Sequence, residues 1–318
     1  MQLNLPIFDQ VSQCKNLLIA GMGGGFDVFC GLPIYFELKR RGLNVHLANL
    51  SFSDVPRYKG GVRLSKSLVG VTAEYHLPVT YFPELYLSHW FAEIRGEQVT
   101  VWCFETTGAR ILLENYQLLT EHLAIDGILL IDGGVDSLIR GDEAGTGTLV
   151  EDAISLYSVN QLNSIPVRLM ACIGFGAELD IAYAHILENI AHLAQQGAFL
   201  GSCSLVPQME SYRDYEEALV FVQENPLQDP SVINSSIISA VQGHYGNYHL
   251  TDKTRGSSLW ISPLMPIYWF FDLPLVAQQN YWIGELGPTE VFMHAMVTYT
   301  RKRRESIQPR VHRQIPLT

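Results

Sequence analysis

Along the first two thirds of the chain, short apolar runs alternate with longer stretches whose apolar residues recur at helical spacing. Strands are predicted at residues 16–20 (NLLIA), 44–49 (NVHLAN), 99–104 (VTVWCF), 127–132 (GILLID) and 167–173 (VRLMACI). Between them, amphipathic patterns predict helices over 26–41, 107–123, 149–162 and 177–196. Strand and helix in alternation imply βαβ units and a parallel sheet. The strands are apolar at almost every position, as expected of strands covered on both faces. The expected fold is therefore α/β, a Rossmann-like, doubly wound and mostly parallel sheet. Right-handed crossovers are expected, but the strand order is not readable.

Two regions interrupt the alternation. Residues 51–98 carry Tyr58, Tyr75, Tyr81, Tyr86 and Trp90 beside a basic stretch (Arg57, Lys59, Arg63, Lys66). A segment this long between sheet elements reads as an insertion or lid. Residues 207–318 read as a C-terminal elaboration with helices near 212–224 and 230–242, then an aromatic-rich stretch, then a last helix. That helix is expected to open at Gly287-Pro288-Thr289-Glu290, with proline near the first turn. It should close on the basic cluster 301–304, where the helix dipole favours cations. No repeat and no glycine-serine or charged linker divides the chain, so residues 1–318 are expected to form a single domain.

Composition narrows the function. Hydrophobic residues make up 47% and charged residues 17% of 318, which supplies a sizeable core and excludes a disordered chain. A net charge of −11 argues against a nucleic-acid surface, which needs clustered positive charge. No apolar run reaches the roughly 18 residues needed to span a bilayer, and the start MQLNLPIFDQ lacks a signal-peptide pattern. The five cysteines (Cys14, Cys30, Cys103, Cys172, Cys203) are scattered without a CxxC pair. They read as thiols of a reducing cytoplasm, neither a disulfide framework nor a zinc site. The low charged fraction and aromatic C-terminal region suggest exposed apolar surface, and so a homo-oligomer.

In an open parallel sheet, ligands bind beyond the carboxyl ends of the strands, so the residues after each strand are the candidates for chemistry. After the first come Gly21, Met22, Gly23, Gly24, Gly25, Phe26 and Asp27; after the second, Asn49, Ser51, Ser53 and Asp54. After 127–132 come Gly133, Gly134, Asp136, Arg140, Asp142 and Glu143; after 167–173, Gly174, Gly176, Glu178 and Asp180. Glycine beside a carboxylate recurs, so several carboxylates are expected to converge on one cleft.

The first turn is not G-x-G-x-x-G, because Phe26 occupies the last position, and it lacks the lysine of a P-loop. Asn49 stands where a ribose-binding acid would be expected. Asp27 suits the start of a helix but suits a phosphate only with a metal or arginine between them. The plainer reading is a tight turn that Asp27 caps. The segment 132–143 is the most informative. Its carboxylates offer the oxygen ligands that Mg²⁺ or Ca²⁺ requires, or a general acid–base pair. Asp132, Asp136 and Asp142 are the candidate metal ligands, and Asp132 and Asp136 the candidate catalytic groups. Gly23, Gly24, Gly25, Asp27, Gly133, Gly134, Arg140, Gly174 and Gly176 are the candidate ligand contacts, with Arg140 to offset charge or clamp an anion. GGVDS partly matches the SGGxDS pyrophosphate loop of adenylating enzymes, with Asp132 in place of the leading serine. His244, His249 and Arg255 lie in the aromatic stretch and fit no zinc motif.

GMGGGFDV and DGGVDSLIRGDE, in this order and spacing, resemble a prokaryotic family known as domain of unknown function 1152, over residues 16–304. The resemblance implies a single cytoplasmic domain of about this length and assigns no substrate, cofactor or catalytic residue. The residues themselves point to an enzyme of a nucleoside, nucleotide or sugar phosphate, working by hydrolysis or group transfer with a divalent metal. A non-catalytic nucleotide sensor and an NAD(P)-binding oxidoreductase are the alternatives.

Overall fold

The computed structural model describes residues 5–75, 81–145, 147, 149–178, 180–305 and 307–311. The chain opens with Pro6–Val11 (α1), Asn16–Gly21 (β1), Asp27–Cys30 (α2), Leu32–Arg40 (α3) and Asn44–Ser51 (β2). Next come Val62–Ser65 (β3), Leu68–Val71 (β4), Pro83–Ile94 (α4), Val101–Glu105 (β5) and Ala109–His122 (α5). Gly127–Gly133 (β6), Val150–Asn160 (α6), Val167–Ile173 (β7), Tyr183–Gln195 (α7) and Phe199–Ser204 (β8) follow. The chain then continues through Glu210–Gln223 (α8), Val232–Val241 (α9), Ile267–Asp272 (β9), Leu273–Gln279 (α10) and Phe292–Glu305 (α11).

The nine strands of the described residues form one sheet in the order β3-β4-β5-β2-β1-β6-β7-β9-β8. Its centre, β5-β2-β1-β6-β7, is parallel throughout. Both flanks are antiparallel: the β3/β4 hairpin on one side, β9 and β8 on the other. Successive side chains of a strand point to opposite faces, and β1 divides accordingly. Leu17 and Ile19 join a core with α1, α2, α3, α4, α8 and α9. Leu18 and Ala20 join a second core with α5, α6, α7, α10 and α11. Helices on both faces account for the unbroken apolar strands.

Several elements differ from the sequence expectation. Residues 51–98 are not outside the sheet: they supply β3 and β4, and α4 packs on α8. Residues 76–80 of that segment lie outside the described residues. The helix expected over 26–41 is two helices, because Gly31 closes α2 and Pro33 sits in the first turn of α3, where its missing N–H costs no hydrogen bond. The aromatic stretch hides β9, which inserts between β7 and β8 with Phe270 and Phe271 buried. Pro288 precedes the last helix, which begins at Phe292. Among the described residues no helix is long and apolar enough to cross a membrane.

The loop after β6 is anchored by the end of the chain. Glu143 is fully buried, and its carboxylate accepts from the backbone N–H of Arg140 (2.9 Å) and Gly141 (2.8 Å) and from Asn189 Nδ2 (2.7 Å). Arg310 completes the set, with one nitrogen 2.7 Å from Glu143 and 3.0 Å from Asp142. A buried carboxylate deprived of its cation is strongly destabilising. Arg310→Ala is therefore expected to cost roughly 2–4 kcal/mol in chemical denaturation. Glu143→Gln in the same chain should recover a measurable part of that loss, giving a positive coupling in a double-mutant cycle. Strict additivity would remove the ion pair from the account of this loop.

Candidate functional site

The glycine turn after β1 is built by its neighbours. Met22 N–H donates to Ile131 O (2.9 Å), and Ser155 Oγ of α6 donates to Met22 O (2.8 Å). Gly24 and Gly25 take φ of 99° and 59°, the left-handed region that glycine enters without strain. Asp27 Oδ2 then accepts the Gly23 N–H at 2.6 Å. Asn49, fully buried at the end of β2, fastens the other side. Its Nδ2 donates to Gly25 O (2.8 Å) and Glu84 Oε1 (2.7 Å), and its Oδ1 accepts the Val28 N–H (3.2 Å). The residue that stands where a ribose-binding acid was expected is thus a clamp for the turn.

Beside this turn is a cavity of about 320 Å³, whose lining includes Gly23, Asp27, Asp132, Asp136, Asp152 and Glu178. No arginine, lysine or histidine is among the described residues that line it. One oxygen each of Asp27, Asp132 and Asp152 lies within 4.8 Å of the other two. Asp132, next to last in β6, accepts both the backbone N–H (3.2 Å) and the hydroxyl of Ser137. Glu178, after β7, accepts the Val135 N–H (2.9 Å) and shares a hydrogen bond with Asp136. Asp152, in the first turn of α6, is 2% exposed, and its Oδ1 has no hydrogen-bond partner.

The glycines leave the room. A Cβ at Gly23 would fall 2.8 Å from both Asp27 and Asp152, and one at Gly133 would fall 2.7 Å from Asp27. Burial raises every carboxylate pKa for which a shift is resolved here, because the charged form loses its hydration, and the neighbouring carboxylates add repulsion. Asp27 rises from 3.8 to about 7, and Asp132, Asp152 and Glu178 rise well above their ordinary values. Glu151, next to Asp152, rises to about 7, chiefly through burial.

The structure brings together Gly23, Asp27, Asp132, Gly133 and Asp136 of the sequence candidates, and Gly134 backs the same wall between Glu178 and Asp132. Gly24 and Gly25 line an adjoining cavity. Gly174 and Gly176 are not in the lining of the acidic cavity: a Cβ at Gly174 would meet Ile233, which lines it, and one at Gly176 would meet Trp260. Asp142 and Arg140 are not in the cleft: Asp142 pairs with Arg310, and the Arg140 guanidinium lies 4.8 Å from the centre of the Tyr281 ring. His244 stacks on Tyr248, and His249 Nδ1 meets Thr254 Oγ1 at 2.8 Å. Sequence reasoning missed Asp152. The signal was a helical one: Asp152, Ser155 and Val159 recur at helical spacing and all are buried, so an acid sits on the inward stripe of α6.

The family described as "Protein of unknown function (DUF1152)" matches residues 83–298. The chain belongs to this family. The DUF1152 match includes β6, the loop through Glu143, α6 and Glu178; the GMGGGFDV turn precedes it. No curated protein and no solved structure matches the chain.

For this DUF1152 protein the acidic cavity sets a pH dependence. A carboxyl whose folded pKa exceeds its unfolded value holds its proton more tightly when folded. Its contribution to stability is complete below about pH 4 and is lost as pH rises through about 7. The melting temperature of metal-free protein is therefore expected to fall between pH 5.5 and 8. Asp152→Asn removes one unpartnered buried charge and should raise the metal-free melting temperature at pH 8. The gain should be roughly 1–3 kcal/mol, at about 2–4 °C for each. A wild-type melting temperature that stays flat over this range would contradict the burial of these groups.

Proposed function

We propose that the protein is a divalent-metal-dependent enzyme of a nucleotide or sugar phosphate, acting by hydrolysis or group transfer. The observation that carries this reading is the trio Asp27, Asp132 and Asp152, whose oxygens converge within 4.8 Å in a cavity that no basic side chain lines among the described residues. Such a set accepts a hard cation, since carboxylate oxygens are the ligands of Mg²⁺ and Ca²⁺. The fit has a local mark as well: Asp152 Oδ1 is buried without a partner, as a ligand atom awaiting its cation would be. With no arginine or lysine among the described residues that line this cavity, a phosphate reaches it only in company with a cation.

The strand order supports the same place for the ligand. Counted among themselves, the five parallel strands run 3-2-1-4-5, the order of the Rossmann-like doubly wound sheet. The order reverses between β1 and β6, and ligands of such sheets bind at that crevice. Asp27 follows β1 and Asp132 is next to last in β6. The pyrophosphate of the NAD(P) alternative would meet the same acidic wall and would need the same cation.

Asp27, Asp132 and Asp152 would hold the metal, which when bound supplies charge neutralisation and polarises phosphate oxygens. Asp132 is kept in place by Ser137 and by the sheet, and a ligand fixed by a strand keeps its geometry better than one on a loop. Asp136 and Glu178 line the same cavity, and neighbouring carboxyl groups can accept or return a proton beside the ligand. A sensor that binds without turnover uses the same cavity; turnover of a nucleotide and sugar-phosphate panel separates the two.

Calorimetric titration of Mg²⁺ or Mn²⁺ into metal-free protein is expected to give saturable binding. Asp132→Asn should weaken it at least tenfold, about 1.4 kcal/mol or more, while Asp142→Asn should leave it unchanged. Equal effects of the two substitutions would sink the assignment.

A further inference from the structure

The acidic cavity does not stand alone. A second cavity of about 410 Å³ shares Asp27 and Ile233 with it. Gly24, Gly25, Phe52, Tyr81 and residues 230–233 are among its lining. The two spaces lie on either side of one turn. A Cβ at Gly23 would meet Asp27 and Asp152, whereas a Cβ at Gly24 would run into the Phe52 ring. A Cβ at Gly25 would fall 3.3 Å from the Tyr81 hydroxyl and 3.5 Å from Phe52. The aromatic rings are therefore seated on backbone that only glycine leaves clear.

Phe52 directly follows β2 and is 53% exposed. A ring this exposed, held on bare backbone beside a polar cavity, offers a face to a flat partner. Lys253, 3.7 Å from Asp229, is the one cation among the described residues that line either cavity.

We infer that this cleft is the subsite for a planar heterocycle, and that the ligand of the acidic cavity is a nucleotide rather than a plain sugar phosphate. The ring stacks on Phe52, and the phosphates pass over the Gly23–Asp27 turn to the carboxylates with their cation. Stacking on an aromatic side chain tolerates any base, because every base has a π-face. The inference rests on the metal reading above for the phosphate end, and on Phe52 and the glycine turn for the ring.

Three probes test it: ADP with Mg²⁺, ribose 5-phosphate with Mg²⁺, and adenosine without metal, each with wild type, Phe52→Ala and Phe52→Tyr. Titration calorimetry reads the phosphorylated probes and ligand-observed NMR reads adenosine. ADP is expected to bind wild type about tenfold or more tightly than ribose 5-phosphate. Phe52→Ala should remove that advantage, lower adenosine binding by a similar factor and leave ribose 5-phosphate unchanged; Phe52→Tyr should restore it. Equal binding of ADP by wild type and Phe52→Ala, or ribose 5-phosphate binding as tightly as ADP, overturns the inference. If Mg²⁺ alone does not bind but adenosine binds and Phe52→Ala loses it, the metal reading fails and the ring subsite stands. If neither adenosine nor ADP binds at millimolar concentration, the ring subsite is wrong whatever the metal result.

Discussion

Carboxylates held close together and away from water repel one another, and around the cavity at the end of β1 and β6 no basic side chain offsets them among the described residues. Each charge loses hydration on burial, and each raises the pKa of its neighbours. Without a cation the cluster must keep some of its protons near neutrality, as the rise of Asp27 to about 7 indicates. Such an arrangement works against folding stability, and surrounding structure must hold it together. Buried charges of one sign persist where they are matched from outside the chain, most simply by a metal ion.

The rest of the fold supplies that support. Five parallel strands fix the ends of β1, β6 and β7 at one edge, so Asp27, Asp132 and Glu178 are brought together by backbone rather than by mobile side chains. Asn49 and Glu84 brace the glycine turn from β2 and α4. Ser155 ties α6 to Met22, which brings Asp152 to the same cavity. Arg310 and Glu143 anchor the loop that follows Asp136. Two apolar cores, one on each sheet face, offset what the acidic edge costs.

Much of this was legible in the sequence because the central strands are apolar on both faces and each ends in a marked turn. β7 was expected at its observed limits, and β1, β2 and β6 within about two residues. The positions of Asp27 and Asp132 at one edge followed from parallel connectivity alone. What escaped were features with no local signature. β9 reads as an aromatic cluster because its pairing is with β7 and β8, far away in sequence. The β3/β4 hairpin is only four residues a side and partly polar. Asp142 was expected among the metal ligands with Asp132 and Asp136, yet Arg310, remote along the chain, claims it. Asp152 escaped because an acid in the first turn of a helix is common, the dipole favouring it there, and only its burial, which depends on the packing of α6, sets it apart.

The most direct test of the central claim is crystallographic. Protein crystallised with millimolar Mn²⁺ and measured for anomalous scattering should show a peak between Asp27, Asp132 and Asp152. Carboxylate oxygens should lie roughly 2.0–2.4 Å from it, within the range of hard-cation coordination. The same map from Asp152→Asn crystals should show that peak reduced or gone. A wild-type map with no peak among these three residues, while Mn²⁺ sites appear elsewhere on the molecule, would contradict the account.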